Sequence, residues 1–184
     1  DQNAFELAVD TILHAKHIYI IGIRSCAPLA SFMAFYFTLM FPNVHLIQTS
    51  SSSEIFEQMV RIGKEDVIIG ISFPRYSMRT LKAMEFANNR SAKVITLTDS
   101  VHSPMNLYSS CNLIADSDMA SIVDSLVAPL SVINALIVAL CMKKQNEVAK
   151  TLEMLEDIWD EYQVYENDEI KMRYGKVGDA ELYE

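Results

Sequence analysis

The sequence predicts an α/β fold, a three-layer α/β/α sandwich built on a five-stranded parallel sheet. Two observations carry this prediction: five short runs of β-branched and apolar residues, and helix-like segments in most of the intervals between them. The runs are apolar throughout and do not alternate with polar residues, which is typical of strands buried on both faces. Strands of this kind that alternate with helices form βαβ units with parallel pairing.

In the first half of the chain, residues 5–15 place apolar side chains at roughly helical spacing and predict a helix. The first strand is predicted over 17–22 (HIYIIG). Residues 29–41 are hydrophobic nearly all round, which predicts a helix buried in the core or in a subunit interface. A second strand over 44–48 (VHLIQ) and a helix over 54–63 complete this half.

In the second half, residues 67–72 (VIIGIS) predict the third strand and 77–90 the helix that follows it. The fourth strand is predicted over 93–98 (KVITLT) and the fifth over 112–115 (NLIA). The interval between these two strands is too short for much helix. Residues 121–143 predict a long apolar helix, again for the core or a subunit interface.

The C-terminal part is more polar. Residues 147–162 predict a charged amphipathic helix, and the tail over 166–184 has no clear apolar period. We therefore expect one domain over 1–165 and a tail that is either mobile or packed as a strap on a partner subunit. Because the chain begins with Asp and not Met, we expect it to be a piece of a longer protein.

Composition excludes several classes. The net charge is −9, and a site for a nucleic-acid backbone needs clustered Lys and Arg. Three scattered cysteines without C-x-x-C spacing indicate a reducing, cytoplasmic setting and no structural metal. The N-terminal residues lack a signal-peptide pattern. The uncharged stretches 25–53 and 125–142 favour buried or interface helices over membrane spans, so we expect no membrane.

Hydroxyl and arginine side chains follow the predicted strands, where an open parallel sheet binds its ligands. Small hydroxyls and the free N–H groups of helix N-termini suit a phosphate group, and hydroxyls also suit a sugar. The set as a whole predicts a small, phosphorylated, hydroxyl-rich ligand. The alternative is that these residues only cap helices, as Ser51 with Glu54 can in S-x-x-E spacing. The candidate ligand-binding residues are Arg24, Ser25, Ser51, Ser72, Arg75, Ser77, Thr80 and Ser100.

Several familiar site patterns are missing from the sequence. It has no G-x-G-x-x-G after the first strand, no G-x-x-x-x-G-K-[ST] and no G-x-S-x-G, so dinucleotide, triphosphate and hydrolase sites are not expected. The four histidines lack metal-ligand spacing, and we expect neither a metal nor a cofactor. Cys26 lies near a predicted helix N-terminus, which can lower a thiol pKa, but such a residue is more often a small packing group.

Three loop segments resemble the sugar isomerase (SIS) domain: 22–25 (GIRS), 72–77 (SFPRYS) with Thr80, and 98–104 (TDSVHSP). The block FPRYS is similar to the effector domain of RpiR-type bacterial transcription regulators. In those proteins an N-terminal helix-turn-helix domain precedes this sugar-phosphate sensor. The resemblance extends from about residue 5 to residue 165.

The resemblance implies specific roles. Ser25 is expected to contact the ligand, and Ser72, Ser77 and Thr80 match the phosphate-binding S-x-S-G-x-T segment of SIS proteins. The chain departs from that segment at positions 74 and 75, where proline and arginine replace a serine and a glycine. One hydroxyl is lost and one cation is gained, so the phosphate is expected to be held partly by charge.

The resemblance further implies a homo-oligomeric sensor that binds a sugar phosphate and controls DNA binding by an N-terminal domain outside this fragment. The alternative is a sugar-phosphate isomerase or lyase of the same fold. Isomerisation needs a base near the substrate, for which Glu54 and His102 are the candidates in the predicted crevice. We assign no catalytic residue. A third possibility is an interaction domain that binds no small ligand.

Overall fold

The computed structural model describes residues 1–49, 51–117 and 125–165 of the 184-residue chain. Two 3₁₀ turns, Arg24–Cys26 and Pro104–Tyr108, precede the second helix and the fifth strand. The strands and α-helices follow in the order α1 (Gln2–Leu13), β1 (Ile18–Gly22), α2 (Ala27–Met40), β2 (Val44–Ile47), α3 (Ser52–Gln58), β3 (Val67–Ile71), α4 (Met78–Asn89), β4 (Lys93–Thr98), β5 (Cys111–Ile114), α5 (Val127–Lys143) and α6 (Gln145–Glu161).

The five strands form one parallel sheet with the order β2-β1-β3-β4-β5, which confirms the predicted fold class. Strand β1 pairs on both sides: Ile18 lies opposite Val44 of β2 and opposite Val67 of β3. The chain moves outward in one direction from β1 to β2 and then in the other direction from β3 to β5. The strand order therefore reverses between β1 and β3, and a crevice for ligands opens at the carboxyl ends of such a pair.

Helices cover both faces of the sheet because strand side chains alternate between the faces. Tyr19 and Ile21 of β1 point into a cluster with buried residues of α3 and α4. The intervening residues Ile18 and Ile20 are also fully buried, on the opposite face. Helix α2 packs against β1 and β2, and α1 packs against β5. The sheet is thus the middle layer of three.

Helices α1, α2, α4 and α6 lie within three residues of their predicted bounds, and α3 and α5 differ by more. Helix α3 ends at Gln58, because the next amides turn to nearer carbonyls: Val60 N donates to Glu57 O (3.3 Å) and Ile62 N to Met59 O (3.0 Å). Helix α5 begins at Val127 and not at the predicted residue 121. Residues 121–124 of the predicted helix lie outside the described ranges. Neither difference alters the sheet.

Contacts between Cα atoms divide the chain into two compact units, Asp1–Met142 and Lys143–Glu184. The predicted domain over 1–165 stays a prediction, and the predicted tail over 166–184 lies outside the described residues. Among the described residues, no single helix is long and apolar enough to cross a membrane. Helices α5 and α6 together have the length and apolar composition of a span that is broken in the middle. Core helices of water-soluble proteins share that length and composition, so this is weak evidence for a membrane span.

Candidate functional site

The loop after β1 lies tightly against the end of its own strand. A Cβ atom on Gly22 would be 2.5 Å from the backbone oxygen of Cys26, so only glycine allows this approach. The loop then passes through Arg24, whose φ of 60° lies in the left-handed region that an arginine rarely adopts. Backbone strain of this kind clusters at binding sites. The result is that Arg24 and Ser25 are held at the carboxyl edge of the sheet.

The loop between β3 and α4 is organised by two serine hydroxyls. Ser72 Oγ accepts a hydrogen bond from Ser77 N (3.0 Å), which closes the loop on itself. Ser77 is the N-cap of α4, and its Oγ accepts from Thr80 N (3.3 Å). Each hydroxyl uses its oxygen as an acceptor, and its O–H remains available as a donor. The first-turn amides of Met78 and Arg79 have no acceptor within their helix.

These two loops enclose a cavity of about 640 Å³, which lies at the reversal of strand order between β1 and β3. Cavities of this volume hold small-molecule ligands. Among the described residues, its lining includes hydroxyls, arginines and apolar groups, and no carboxylate or imidazole. The lining residues are Ile23, Arg24, Ser25, Cys26, Ser72, Phe73, Pro74, Arg75, Tyr76, Ser77, Met78 and Arg79.

A hydrogen-bond network fixes one wall of the cavity to the end of β4. Tyr76 OH donates to the carboxylate of Asp99, with distances of 2.9 and 3.2 Å to the two oxygens. Thr98 Oγ1 lies 3.1 Å from Asp99 Oδ1 and 2.9 Å from the Oγ of buried Ser103. Partial burial and then the hydrogen bond to Asp99 raise the pKa of Tyr76 above its ordinary value. The phenol therefore stays protonated and keeps donating at neutral pH.

The structure brings five of the eight candidate ligand-binding residues together in this cavity: Arg24, Ser25, Ser72, Arg75 and Ser77. The other three are not among its lining residues, and their roles stay predictions.

Thr80 is fully buried one turn into α4, and its Oγ1 has no hydrogen-bond partner among the described residues. The hydroxyl of Ser51 contacts that of Ser53 (2.9 Å). Ser51 occupies the N-cap position of α3 without a side-chain cap hydrogen bond, so the capping-box alternative is wrong for this residue. Ser100 Oγ accepts from His102 N (3.1 Å) in a local turn.

The two candidate bases also lie outside the cavity lining. Glu54 accepts a hydrogen bond from Thr49 Oγ1, and His102 is exposed in the loop after β4. Sequence reasoning missed Arg79, which lines the cavity from the first turn of α4. It also missed the bond between Tyr76 and Asp99, because no local pattern links residues so far apart in the chain.

Comparison with known proteins agrees with this geometry. An uncharacterized HTH-type transcriptional regulator of Caldanaerobacter subterraneus subsp. tengcongensis is 27% identical over 164 residues. The alignment covers 85% of this chain and 57% of the relative, so the chain spans little more than half of that protein.

Solved structures share the fold, among them a domain of a transcription factor and a ligand complex. The sugar isomerase domain of an RpiR transcription factor from Sphaerobacter thermophilus has a TM-score of 0.81 and 23% identity, with 85% of this chain and 87% of that chain covered. The Vibrio vulnificus NanR protein, complexed with ManNAc-6P, has a TM-score of 0.74 and 17% identity, with coverage of 86% and 62%.

The family model described as the SIS domain matches residues 11–139. This range is well over half of the chain and contains all five strands together with both loops of the cavity. The chain belongs to the SIS domain family.

Proposed function

We propose that this chain is the effector-sensing domain of a transcription regulator and that it binds a phosphorylated sugar in the cavity between β1 and β3. The observation that carries the proposal is the lining itself. A chain with a net charge of −9 keeps three arginines, three serine hydroxyls and the N-terminus of α4 around one cavity. These groups favour an anion, because each supplies positive charge or N–H and O–H donors.

In the proposed complex the phosphate lies on the loop between β3 and α4. Ser72 and Ser77 donate their O–H groups, and the amides of Met78 and Arg79 donate from the first turn of the helix. Arg75 supplies a charged partner where the related isomerases are expected to place a glycine. The sugar hydroxyls face the loop after β1, where Ser25 is exposed to the cavity.

Binding is proposed to act on a DNA-binding domain through the packing of two subunits. Helices α2 and α4 both begin at the cavity, so a ligand contacts their N-termini directly.

The outer face of α2 exposes 62% of Phe35 and 37% of Tyr36, which contact each other edge to face. Two adjacent exposed aromatic side chains on one helix face support an interface, and we propose that they join two copies of the chain. The ligand shifts subunit packing only by its differential affinity for the two arrangements.

DNA binding itself is proposed to reside in an N-terminal helix-turn-helix domain outside this chain, as the HTH-type relative suggests. A regulator of bacterial genes works where the DNA is, so we propose a cytoplasmic location.

The test is a thermal-shift screen of this chain against sugar phosphates and their unphosphorylated parent sugars. A ligand at about 100 times its dissociation constant stabilises the fold by roughly 2.7 kcal/mol. We expect a shift with at least one phosphate and none with its parent sugar. Ser72→Ala and Ser77→Ala should each reduce the shift, while Ser91→Ala, on an exposed turn far from the cavity loops in sequence, should not. The absence of any shift across hexose, pentose and amino-sugar phosphates would contradict the proposal.

The alternative function is a sugar-phosphate isomerase or lyase. The positions of Glu54 and His102 outside the cavity lining favour recognition over turnover. The same samples decide between the two, because product analysis of any bound phosphate detects conversion. If the wild type converts the bound sugar phosphate and Glu54→Gln or His102→Asn abolishes the conversion, the protein is an enzyme.

A further inference from the structure

The cavity concentrates more positive charge than one phosphate requires. Arg24, Arg75 and Arg79 line it, three of the six arginines in the chain, and none of the lining residues in the described part of the chain is acidic. Phosphate-binding loops built from serine hydroxyls and helix amides hold a phosphate without side-chain cations. The additional guanidinium groups therefore need their own explanation.

The three guanidinium groups make no side-chain hydrogen bond or ion pair with another described residue. Within the described part of the chain, the ion pairs join Lys16 to Glu65 and Lys144 to Glu147, and neither involves these arginines. By contrast, Arg90 donates to a backbone carbonyl and stacks on Phe86. The cavity arginines are thus available to a ligand.

Two of these arginines are placed at a local cost. Arg24 has a φ of 60°, a conformation in which a residue with a Cβ is strained. Arg79 lies in the first turn of α4, where a cation opposes the positive end of the helix dipole. An anionic ligand offsets the second cost directly, and backbone strain of the first kind clusters at binding sites.

The arginines also divide between the two walls of the cavity. Arg75 and Arg79 lie on the wall that carries Ser72, Ser77 and the N-terminus of α4. Arg24 lies on the other wall, on the loop after β1. This loop is distant in sequence from the loop between β3 and α4. The backbone of Cys26 packs closely against Gly22, which holds the loop in place.

We propose that the ligand carries a second anionic group, a carboxylate or a second phosphate, and that Arg24 binds it opposite the phosphate. The ligand class is then a phosphorylated sugar acid or a sugar bisphosphate. This inference rests on the proposed function, since it assumes that a phosphate occupies the wall formed by the loop between β3 and α4.

The test is calorimetric titration of the full chain with matched pairs of sugar phosphates. One pair is glucitol 6-phosphate and 6-phosphogluconate, which differ only in a hydroxymethyl or a carboxylate at C1. Another is fructose 6-phosphate and fructose 1,6-bisphosphate. A charge-assisted hydrogen bond to the second anion should make the doubly anionic member of a recognised pair bind about tenfold tighter or more.

Three variants separate the contributions. Arg24→Gln should reduce the affinity ratio within a pair by about tenfold, because the charge opposite the second anion is lost. Arg79→Gln should weaken both members alike, because it acts at the phosphate. Arg61→Gln removes the same charge from an exposed site outside the cavity lining and should leave the ratio unchanged.

Three outcomes would overturn the inference in different ways. If monophosphates bind and their doubly anionic partners bind no tighter, the second anion site is wrong and the proposed function stands. If no phosphate probe binds, the proposed function fails, and the inference fails with it. An affinity ratio unaffected by Arg24→Gln would show that Arg24 does not bind the second anion.

Discussion

Gly22→Ala tests whether the close packing of the loop after β1 builds the cavity. The new Cβ would lie 2.5 Å from the backbone oxygen of Cys26, 3.0 Å from its carbonyl carbon and 3.1 Å from Ala30 Cβ. Ordinary contacts begin near 3.4 Å, so the oxygen must retreat by about 0.9 Å. The obstacle is backbone of the 3₁₀ turn, which cannot rotate away as a side chain would.

The expected cost follows from that displacement. Forcing an extra methyl group into a packed position destabilises a protein by about 1–3 kcal/mol. For a chain of this length, each kcal/mol lowers the melting temperature by roughly 2–4 °C. The displaced turn carries Arg24 and Ser25, so we expect the affinity for a sugar phosphate to fall by about tenfold or more as well.

Urea unfolding measures the first effect and calorimetric titration the second. Gly63→Ala is the matched control: a Cβ there meets nothing within 4 Å, and the described glycines have no positive φ. This control should be neutral or more stable by about 0.4–1 kcal/mol, since alanine restricts the unfolded chain. If Gly22→Ala unfolds at the same urea concentration as Gly63→Ala and binds ligand normally, the packing argument is refuted.

Three further predictions concern the cavity wall, pH and assembly. Tyr76→Phe removes the hydrogen bond to Asp99, which should cost about 1 kcal/mol in urea unfolding and weaken ligand binding; unchanged affinity would show that this wall needs no such bond. Partial burial and the neighbouring His17, whose ring nitrogen is 3.1 Å away, lower the pKa of His45 in the folded chain. The unfolded chain therefore binds this proton more readily, and the free energy of unfolding should fall as the pH drops below about 6.5. Urea midpoints at pH 5 and 7 measure this difference, which should shrink in His45→Gln; an equal difference in the variant would contradict the assignment. Phe35→Ser should shift sedimentation from dimer towards monomer, whereas a wild type that sediments as a monomer would contradict the proposed interface.

Much of the fold could be predicted from the sequence because its determinants are local. Continuous apolar runs need burial on both faces, and only helices on both sides of a parallel sheet provide it. The fourth strand has the predicted bounds, the first three differ by one residue at one end, and the fifth is shifted by one residue at both ends. The same local logic predicted hydroxyls and arginines at the strand ends, five of which line the cavity.

The tertiary structure decided which of those strand ends share a site. The order β2-β1-β3-β4-β5 places the loops of β1 and β3 side by side, and it leaves Ser51 and Ser100 outside the cavity lining. Strand order depends on long-range pairing and on the direction of each crossover, which no local pattern encodes. For the same reason Tyr76 and Asp99 meet only in the folded chain. The sequence by itself determined the chemistry available at the edge of the sheet, and the strand order decided where that chemistry is gathered.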